Sequence, residues 1–283
     1  GWASTGTLGG FALSATLLTT FVWWELRAPD PMLTGTIFRN LRFSAASVAI
    51  TSAFFALFGF IFLITQYFQL VRGYGPLEAG VRTLPVAFSI AFASVAAPRI
   101  VERVGTTNVV RFGLALLSAA FVWIAFRVDV DTPYLEIVGQ MIFLGAGLGA
   151  TTAPATESIM GSLSADKAGI GSAVNDTTRE LGGTLGVAII GSVFSSVYIG
   201  ALDGSGATSV FAQLPPEAQE LTKESVGAAG FVARELGPNA PAFLAEVNDA
   251  FLSGLTVGCL VAAGVAFAGS VFAGRFLPAH AES

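Results

Sequence analysis

The chain alternates between long uncharged runs and short charged segments. Five runs contain no Asp, Glu, Lys or Arg and extend over 20 to 29 residues: 1–24, 43–71, 137–156, 181–202 and 250–274. A helix needs about 20 apolar residues to cross the hydrocarbon core of a bilayer. Each of these runs therefore predicts one membrane-spanning helix.

Two shorter apolar runs, 83–98 and 112–126, are bounded by arginines. They reach spanning length if Arg82, Arg99, Arg111 and Arg127 extend toward the lipid headgroups. The composition agrees, because 53% of the residues are hydrophobic and only 12% are charged, against about 25% charged in soluble domains. We therefore predict an all-α integral membrane protein with about seven transmembrane helices.

Basic residues mark the cytoplasmic loops of membrane proteins. Nine bases follow the odd-numbered spans: Arg27, Arg39, Arg42, Arg99, Arg103, Arg111, Lys167, Arg179 and Arg275. Five follow the even-numbered spans: Arg72, Arg82, Arg127, Lys223 and Arg234. This difference predicts a cytoplasmic C-terminus and, with seven spans, Gly1 on the outer side. The chain begins with Gly1 rather than Met, as expected of a fragment preceded by an odd number of spans.

One connection, 203–249, is long and acidic, with seven carboxylates and two bases. Proline at 215 and 216 and the Gly237-Pro238 pair predict the start and stop of a surface helix between them. A shorter helix is expected to lead into the last span. This external segment is interpreted as a cap over the transport pathway, with a loop insertion of no functional role as the alternative. The chain is thus predicted to have four parts. They are the first helix with a basic cytoplasmic loop (1–42), the next five spans (43–202), the acidic external loop (203–249) and the last span with a cytoplasmic tail (250–283).

The sixth span opens on a charged segment. Asp176 lies three residues before Arg179 and four before Glu180, so one helix face brings both acids near the base. Asn175 and Arg179 share a face with Gly182 and Gly186, where small residues allow helices to approach closely. With Glu157 at the end of the fifth span, these residues are expected to form a gating or proton-linked ion-pair network. The alternative is a charged cap that ends the buried part of the helix.

Polar and small residues inside other spans offer two further predictions. Gln66 and Gln69 lie three apart near the outer end of the second span and are candidates for a substrate cavity; interhelical hydrogen bonds are the alternative. The fifth span carries the small-residue sequence "GAGLGA", followed by Pro154. Close helix packing, with a break or bend at the proline, is expected there.

Three stretches carry a family resemblance in their order and spacing: "QYFQLVRGYGPLEAGVRTLP", "GAGLGATTAPATESIMGSL" and "AGIGSAVNDTTRELGGTLGVAIIGS". They resemble the C-terminal half of the fourteen-helix drug:proton antiporters of the major facilitator superfamily. The stretch "FVWWELRAPDPMLTGTIFRNLRFS" resembles the segment that joins the extra central helix of that branch to its second bundle. The resemblance implies the second six-helix bundle of a major facilitator fold plus one extra central helix.

The resemblance also implies a function. Family members export cationic or amphipathic compounds in exchange for protons by alternating access, and the missing N-terminal half becomes a required partner. Arg99, Arg103 and Gly105 match the cytoplasmic loop that locks the two bundles of the family together. Thr106, Thr107 and Asn108 stand where more basic residues are expected, which puts that locking role in question here.

Other functional classes have less support in the sequence. A seven-helix membrane receptor or sensor fits the number of spans and is the alternative to a transporter. An enzyme is not expected, because no span carries a set of catalytic side chains. No metal site, cofactor or nucleic-acid partner is expected, and coupling to the proton gradient is implied instead. The expected location is the plasma or inner membrane, with lipid, protons and drug-like molecules as partners.

Overall fold

The computed structural model describes residues 4–28, 35–164 and 167–278. In these ranges all regular secondary structure is helical. Ten α-helices have the following bounds: α1 Thr5–Glu25, α2 Leu41–Gln66, α3 Pro76–Arg82, α4 Leu84–Val104, α5 Thr106–Arg127, α6 Tyr134–Met160, α7 Ala168–Asp203, α8 Pro216–Glu224, α9 Val226–Glu235 and α10 Ala240–Phe276. A short π-helical turn, Tyr67–Val71, continues α2.

Seven helical stretches of the described chain are long and apolar enough to cross a membrane. They are α1, α2 with its π-helical turn, α3 together with α4, α5, α6, α7 and α10. The predicted number of spans is therefore confirmed, including the two short runs bounded by arginines. Gly1, whose side of the membrane was predicted, lies outside the described residues.

Six of the spans form one bundle. Helix α2 packs against α6, α7 and α10, helix α5 packs against α6 and α10, and α4 packs mainly against α6. The seventh span, α1, contains no buried residue. The structure thus confirms the predicted fold class of a six-helix bundle with one additional helix.

Glycines set the spacing around α6. A Cβ atom at Gly149 would lie 2.5 Å from the Ile90 carbonyl oxygen of α4, and one at Gly147 would lie 2.6 Å from the Gly113 carbonyl oxygen of α5. Alternate glycines therefore let two different backbones approach α6 from two sides. The predicted close packing is confirmed. Helix α6 continues through Pro154 without a break.

Hydroxyl groups connect several helices. Ser89 donates a hydrogen bond of 2.7 Å to the Ile142 carbonyl oxygen, joining α4 to α6. Ser118 of α5 donates to Ala263 of α10 at 2.9 Å. Short polar side chains of this kind support helix association where lipid provides no hydrophobic drive.

The bundle has two ends, which we name after Gly105 and Arg72. At the Gly105 end, α4 and α5 are joined by this single residue, which has φ 83 and ψ 155. The Thr107 hydroxyl donates to the carbonyl oxygen of Leu277, so the end of α10 is tied to the start of α5. At the Arg72 end, the Tyr67 hydroxyl donates to the Asp129 carbonyl oxygen at 2.7 Å.

The acidic segment differs from its prediction in one respect. The expected surface helix is divided at Ser225 into α8 and α9, because Ser225 has an extended backbone with φ −154 and ψ 127. The shorter helix expected before the last span is present and continues into it, since α10 runs without interruption from Ala240 to Phe276. The predicted boundary between 249 and 250 therefore falls inside a helix.

Candidate functional site

A cluster of polar side chains joins α6 to α7. We call Thr156, Asn175 and Arg179 the polar cluster. The Thr156 hydroxyl hydrogen-bonds the Asn175 side-chain oxygen at 3.2 Å, and Arg179 Nη2 donates to the same hydroxyl at 3.1 Å. Asn175 is only 6% exposed. The helices α6 and α7 make few direct contacts, and these hydrogen bonds are among the interactions that join them.

The Arg179 guanidinium has one incompletely satisfied donor. Its Cζ atom lies 5.2 Å from the ring centroid of Phe54 on α2, in cation–π geometry. Its Nε is buried and has no hydrogen-bond partner. A buried N–H of a charged group without an acceptor costs about 1–3 kcal/mol or more. The arrangement of Arg179 is therefore favourable for binding one further acceptor.

The predicted ion-pair network is not formed in this structure. The described residues contain three ion pairs within 4.0 Å, Arg82–Glu78, Arg127–Glu136 and Lys223–Asp203, and none of them involves Arg179. Asp176, Glu180 and Glu157 are all exposed at the bundle surface. Their role in gating stays a prediction.

Helix geometry places both acids outside the buried face of α7 that contains Asn175. At about 100° per residue, Arg179 lies about 40° from Asn175 around α7, whereas Asp176 lies about 100° away and Glu180 about 140° away. Arg179 is thus at the edge of the buried face, and both acids are outside it. Thr156, which the sequence analysis did not single out, occupies the place expected for an acid. No local motif could have revealed it, because the contact joins positions 23 residues apart on two helices.

The cavity found at the Arg72 end includes one of the two glutamines predicted to line a substrate cavity. A cavity of about 160 Å³ at the Arg72 end is lined by Gln66, Phe194 and Tyr198, among others, but not by Gln69. Gln66 Nε2 donates to the Phe62 carbonyl oxygen of its own helix at 3.4 Å. Because a π-helical turn is wider than an α-helical one, the chain after Gln66 no longer follows the three-residue spacing of the prediction.

The predicted locking residues lie at the Gly105 end. Arg99 and Arg103 are exposed on the last turns of α4. Gly105 is buried, and its positive φ is a conformation that side-chain-bearing residues rarely adopt. The predicted locking loop between α4 and α5 is thus the single residue Gly105. The Asn108 side-chain amide donates a hydrogen bond across this connection to the Val104 carbonyl oxygen at 2.8 Å.

The segment 204–239, which we call the cap segment, is fastened to the Arg72 end of the bundle. Lys223 forms an ion pair of 2.7 Å with Asp203 at the end of α7. The hydrogen bond with Asp203 raises the pKa of Lys223. The Tyr198 hydroxyl of α7 donates to the Thr222 carbonyl oxygen at 3.0 Å. The cap segment is therefore docked on the bundle rather than extended away from it.

A third attachment of the cap segment involves α10. The Glu246 carboxylate accepts hydrogen bonds of 2.9 Å from the backbone N–H groups of Val210 and Phe211. Hydrogen bonds to a carboxylate are stronger than those between neutral groups. Glu246 was not among the residues singled out from the sequence, because the segment it binds is 35 residues away along the chain.

A sequence profile described as Major Facilitator Superfamily matches residues 1–187, more than half of the 283 residues. The chain belongs to the major facilitator superfamily. The superfamily membership inferred from the motifs is thus confirmed. That this major facilitator chain derives from a fourteen-helix protein stays a prediction.

Relatives of this major facilitator chain include named resistance proteins. It is 31% identical over 273 residues to "Multidrug efflux pump LfrA" of Mycolicibacterium smegmatis, covering 96% of this chain and 53% of that protein. It is 31% identical over 258 residues to "Methyl viologen resistance protein SmvA" of Salmonella typhimurium, covering 87% of this chain and 50% of that protein. The chain spans about half the length of these relatives.

A solved structure supports the fold. It is described as a bacterial homolog of the human lysosomal transporter Spinster in an inward-facing and unoccupied conformation. The TM-score is 0.62 at 17% identity, and the match covers 89% of this major facilitator chain and 52% of that chain. At this identity the similarity concerns the fold alone.

Proposed function

We propose that this chain is the second half of a proton-coupled antiporter that exports amphipathic or cationic small molecules by alternating access. The names of the relatives support drug efflux and favour a transporter over the receptor and enzyme alternatives. The observation that carries the proposal is the incompletely satisfied Arg179 beside the exposed acids of α7. The proposal includes the cell membrane as the location of the protein.

The position of the polar cluster suits proton coupling. The 22 residues from Leu181 to Leu202 carry no charge and are enough to cross the hydrocarbon core. Asp176 and Arg179 therefore lie at the edge of that core, where water reaches the acid and the surroundings still favour ion pairing.

We infer two alternative partners for Arg179. In the structure, Thr156 accepts its Nη2–H and Nε lacks an acceptor. An ionised carboxylate, from Asp176, Glu180, Glu157 or the other half of the transporter, attracts the guanidinium away from this arrangement. Protonation removes the negative charge and returns Arg179 to Thr156. The two arrangements change the link between α6 and α7. Each of these helices packs against α2.

The N-terminal half of the same transporter is the proposed partner, because this chain corresponds to about half of its relatives. The proposed threading has the Gly105 end and the C-terminus in the cytoplasm and the cap segment outside, where it limits access to the pathway. A membrane-impermeant maleimide tests this threading in a Cys259→Ser background. A cysteine at position 220 is expected to react in intact cells, and one at position 103 only after permeabilisation; the reverse pattern contradicts the threading.

Ethidium efflux from cells that produce the full-length transporter tests the function. Efflux is expected to stop when a protonophore collapses the proton gradient, and efflux that continues unchanged overturns antiport. Arg179→Ala is expected to abolish efflux at normal surface expression. Arg275→Ala, which removes an exposed arginine from the end of α10, is the matched control and is expected to leave efflux intact. Equal efflux in both variants overturns the role of Arg179.

A further inference from the structure

An apolar groove runs between α4 and α5. These two helices are joined at Gly105 but hardly touch each other, because each packs against α6. The resulting groove has a volume of about 680 Å³ and is floored by Ala146 and Ala150 of α6. Its walls include Phe92 and Ile100 of α4, which are 80% and 48% exposed. Nothing in the described chain covers it.

The length of the groove matches one leaflet of a bilayer. It follows α4 from Phe92 to Val104, and these 12 steps correspond to about 18 Å of helix axis. Half of the hydrocarbon core of a bilayer is about 15 Å thick. An acyl chain entering from one membrane surface therefore extends along the full groove.

Positive charge is concentrated where the groove ends. Arg103 lies about 60° around α4 from Ile100, on the groove face, while the one nearby acid, Glu102, lies about 160° away. Arg99 borders the same face one turn earlier. Both arginines are exposed, and neither has an acid of the described residues within 4.0 Å. Asn108, the polar residue of the groove lining, is at this end as well.

We propose that this groove binds an anionic phospholipid, with an acyl chain between α4 and α5 and the phosphate at Arg99 and Arg103. Guanidinium groups match the geometry of phosphate oxygens, and basic pockets between membrane helices bind anionic headgroups. A lipid satisfies both features at once, because its tail covers the apolar walls and its head neutralises the arginines. The proposal concerns this face of the bundle and does not depend on proton coupling.

Native mass spectrometry of the full chain tests the proposal. The protein is purified in detergent, incubated with equal amounts of phosphatidylglycerol and phosphatidylcholine, and the retained lipids are counted. Wild type is expected to retain phosphatidylglycerol preferentially. In the Arg99→Gln/Arg103→Gln double variant, the ratio of retained phosphatidylglycerol to phosphatidylcholine is expected to fall about tenfold. Each base near an anionic lipid surface strengthens binding of the anionic lipid several-fold.

The matched control is the Arg39→Gln/Arg275→Gln double variant. It removes two exposed arginines from the same end of the bundle without touching the groove. Its lipid preference is expected to equal that of wild type. Equal losses in the two double variants, or no loss in Arg99→Gln/Arg103→Gln, overturn the proposal. All four changes are on the surface, so folding is expected to be unaffected.

A second measurement distinguishes lipid from a protein occupant. In a Cys259→Ser background, a cysteine at position 96 in the groove wall is expected to react with a maleimide in lipid-free detergent. Added phosphatidylglycerol is expected to slow that reaction. A cysteine that resists the reagent without lipid indicates that α1, another segment or a second copy covers the groove, and overturns the proposal.

Discussion

Gly186 of α7 lies directly against the backbone of Phe55 on α2, so that a Cβ atom at position 186 would overlap the Phe55 carbonyl oxygen. Gly182, one turn earlier, has the same relationship with the Thr51 carbonyl oxygen. The neighbouring atoms belong to the backbone of a helix, which cannot move aside as a flexible side chain does. The distance between α2 and α7 is therefore fixed by these two residues.

Gly186→Ala is expected to lower the stability of the bundle by about 1–3 kcal/mol, because the added methyl group forces the two helices apart. The matched control is Gly200→Ala in the same helix, where no atom lies within 4 Å of the added Cβ. That change is expected to be neutral or to stabilise the helix by up to about 1 kcal/mol. Thermal unfolding in detergent measures both effects. Equal midpoints for the two variants contradict the packing argument.

Thr156→Val is expected to reduce efflux by the full-length transporter about tenfold or more, because the buried Asn175 and the half-buried Arg179 lose their shared partner. Thr156→Ser retains the hydroxyl and is expected to restore transport. Thr177→Val is the matched control, since the exposed Thr177 hydroxyl bonds only within its own helix, to the Ala173 carbonyl oxygen. Dye efflux normalised to surface expression is the measurement. A Thr156→Val protein as active as Thr177→Val excludes a role for the polar cluster.

Gly105→Ala is expected to cost about 1–3 kcal/mol of stability, because φ 83 with ψ 155 is a backbone conformation that is almost limited to glycine. The control is Gly80→Ala in α3, where the added Cβ meets no atom within 4 Å and φ is not positive. The unfolding midpoint is expected to fall for the first variant only. A midpoint equal to that of wild type in Gly105→Ala would show that the α4–α5 connection adopts another conformation.

The ion pair of Lys223 is expected to contribute to the attachment of the cap segment throughout the physiological pH range. Its hydrogen bond with Asp203 raises the pKa of Lys223 above the ordinary value of 10.5. A raised pKa in the folded state stabilises below the unfolded value, so the contribution is complete below pH 10.5 and is lost as the pH rises through the folded value. The rotational mobility of a fluorophore on a cysteine at position 220 reports the attachment.

For wild type, that mobility is expected to stay constant from about pH 6 to 10 and to increase above this range. Lys223→Met is expected to give a mobility that is moderately higher than that of wild type and independent of pH in this range, since the Tyr198 and Glu246 attachments remain. Lys167→Met removes a lysine remote from the cap segment and is expected to behave as wild type. A transition near pH 7 in wild type, or a Lys223→Met protein with unchanged mobility, contradicts the assignment.

The spans were predictable from the sequence because lipid imposes a simple rule. A backbone in hydrocarbon must satisfy its hydrogen bonds internally, so an uncharged run of sufficient length becomes a helix. The close contacts of Gly147, Gly149, Gly182 and Gly186 followed for a similar reason, since small residues spaced along a helix leave room for a neighbour. Both inferences depend only on local sequence.

The candidate site was predictable only in part. The sequence identified Asn175 and Arg179, because polar residues in an apolar helix are conspicuous, but not their shared partner Thr156. Which helix faces α7 at that level depends on tertiary packing, and a threonine before Glu157 carries no distinguishing signal. The different positions of Gln66 and Gln69 also depend on tertiary packing. The π-helical turn between them includes Tyr67, whose hydroxyl hydrogen-bonds the distant Asp129 carbonyl oxygen.

Helix α1 differs from the other spans because none of its residues is buried. Its 21 residues form an uninterrupted helix, so the backbone is satisfied within the segment itself, and insertion of α1 during synthesis does not have to wait for the bundle to assemble. Within the described residues, compatibility with hydrocarbon is thus the main requirement on its side chains. Exchange of its leucines, valines and phenylalanines among themselves is accordingly a change that the rest of the molecule tolerates.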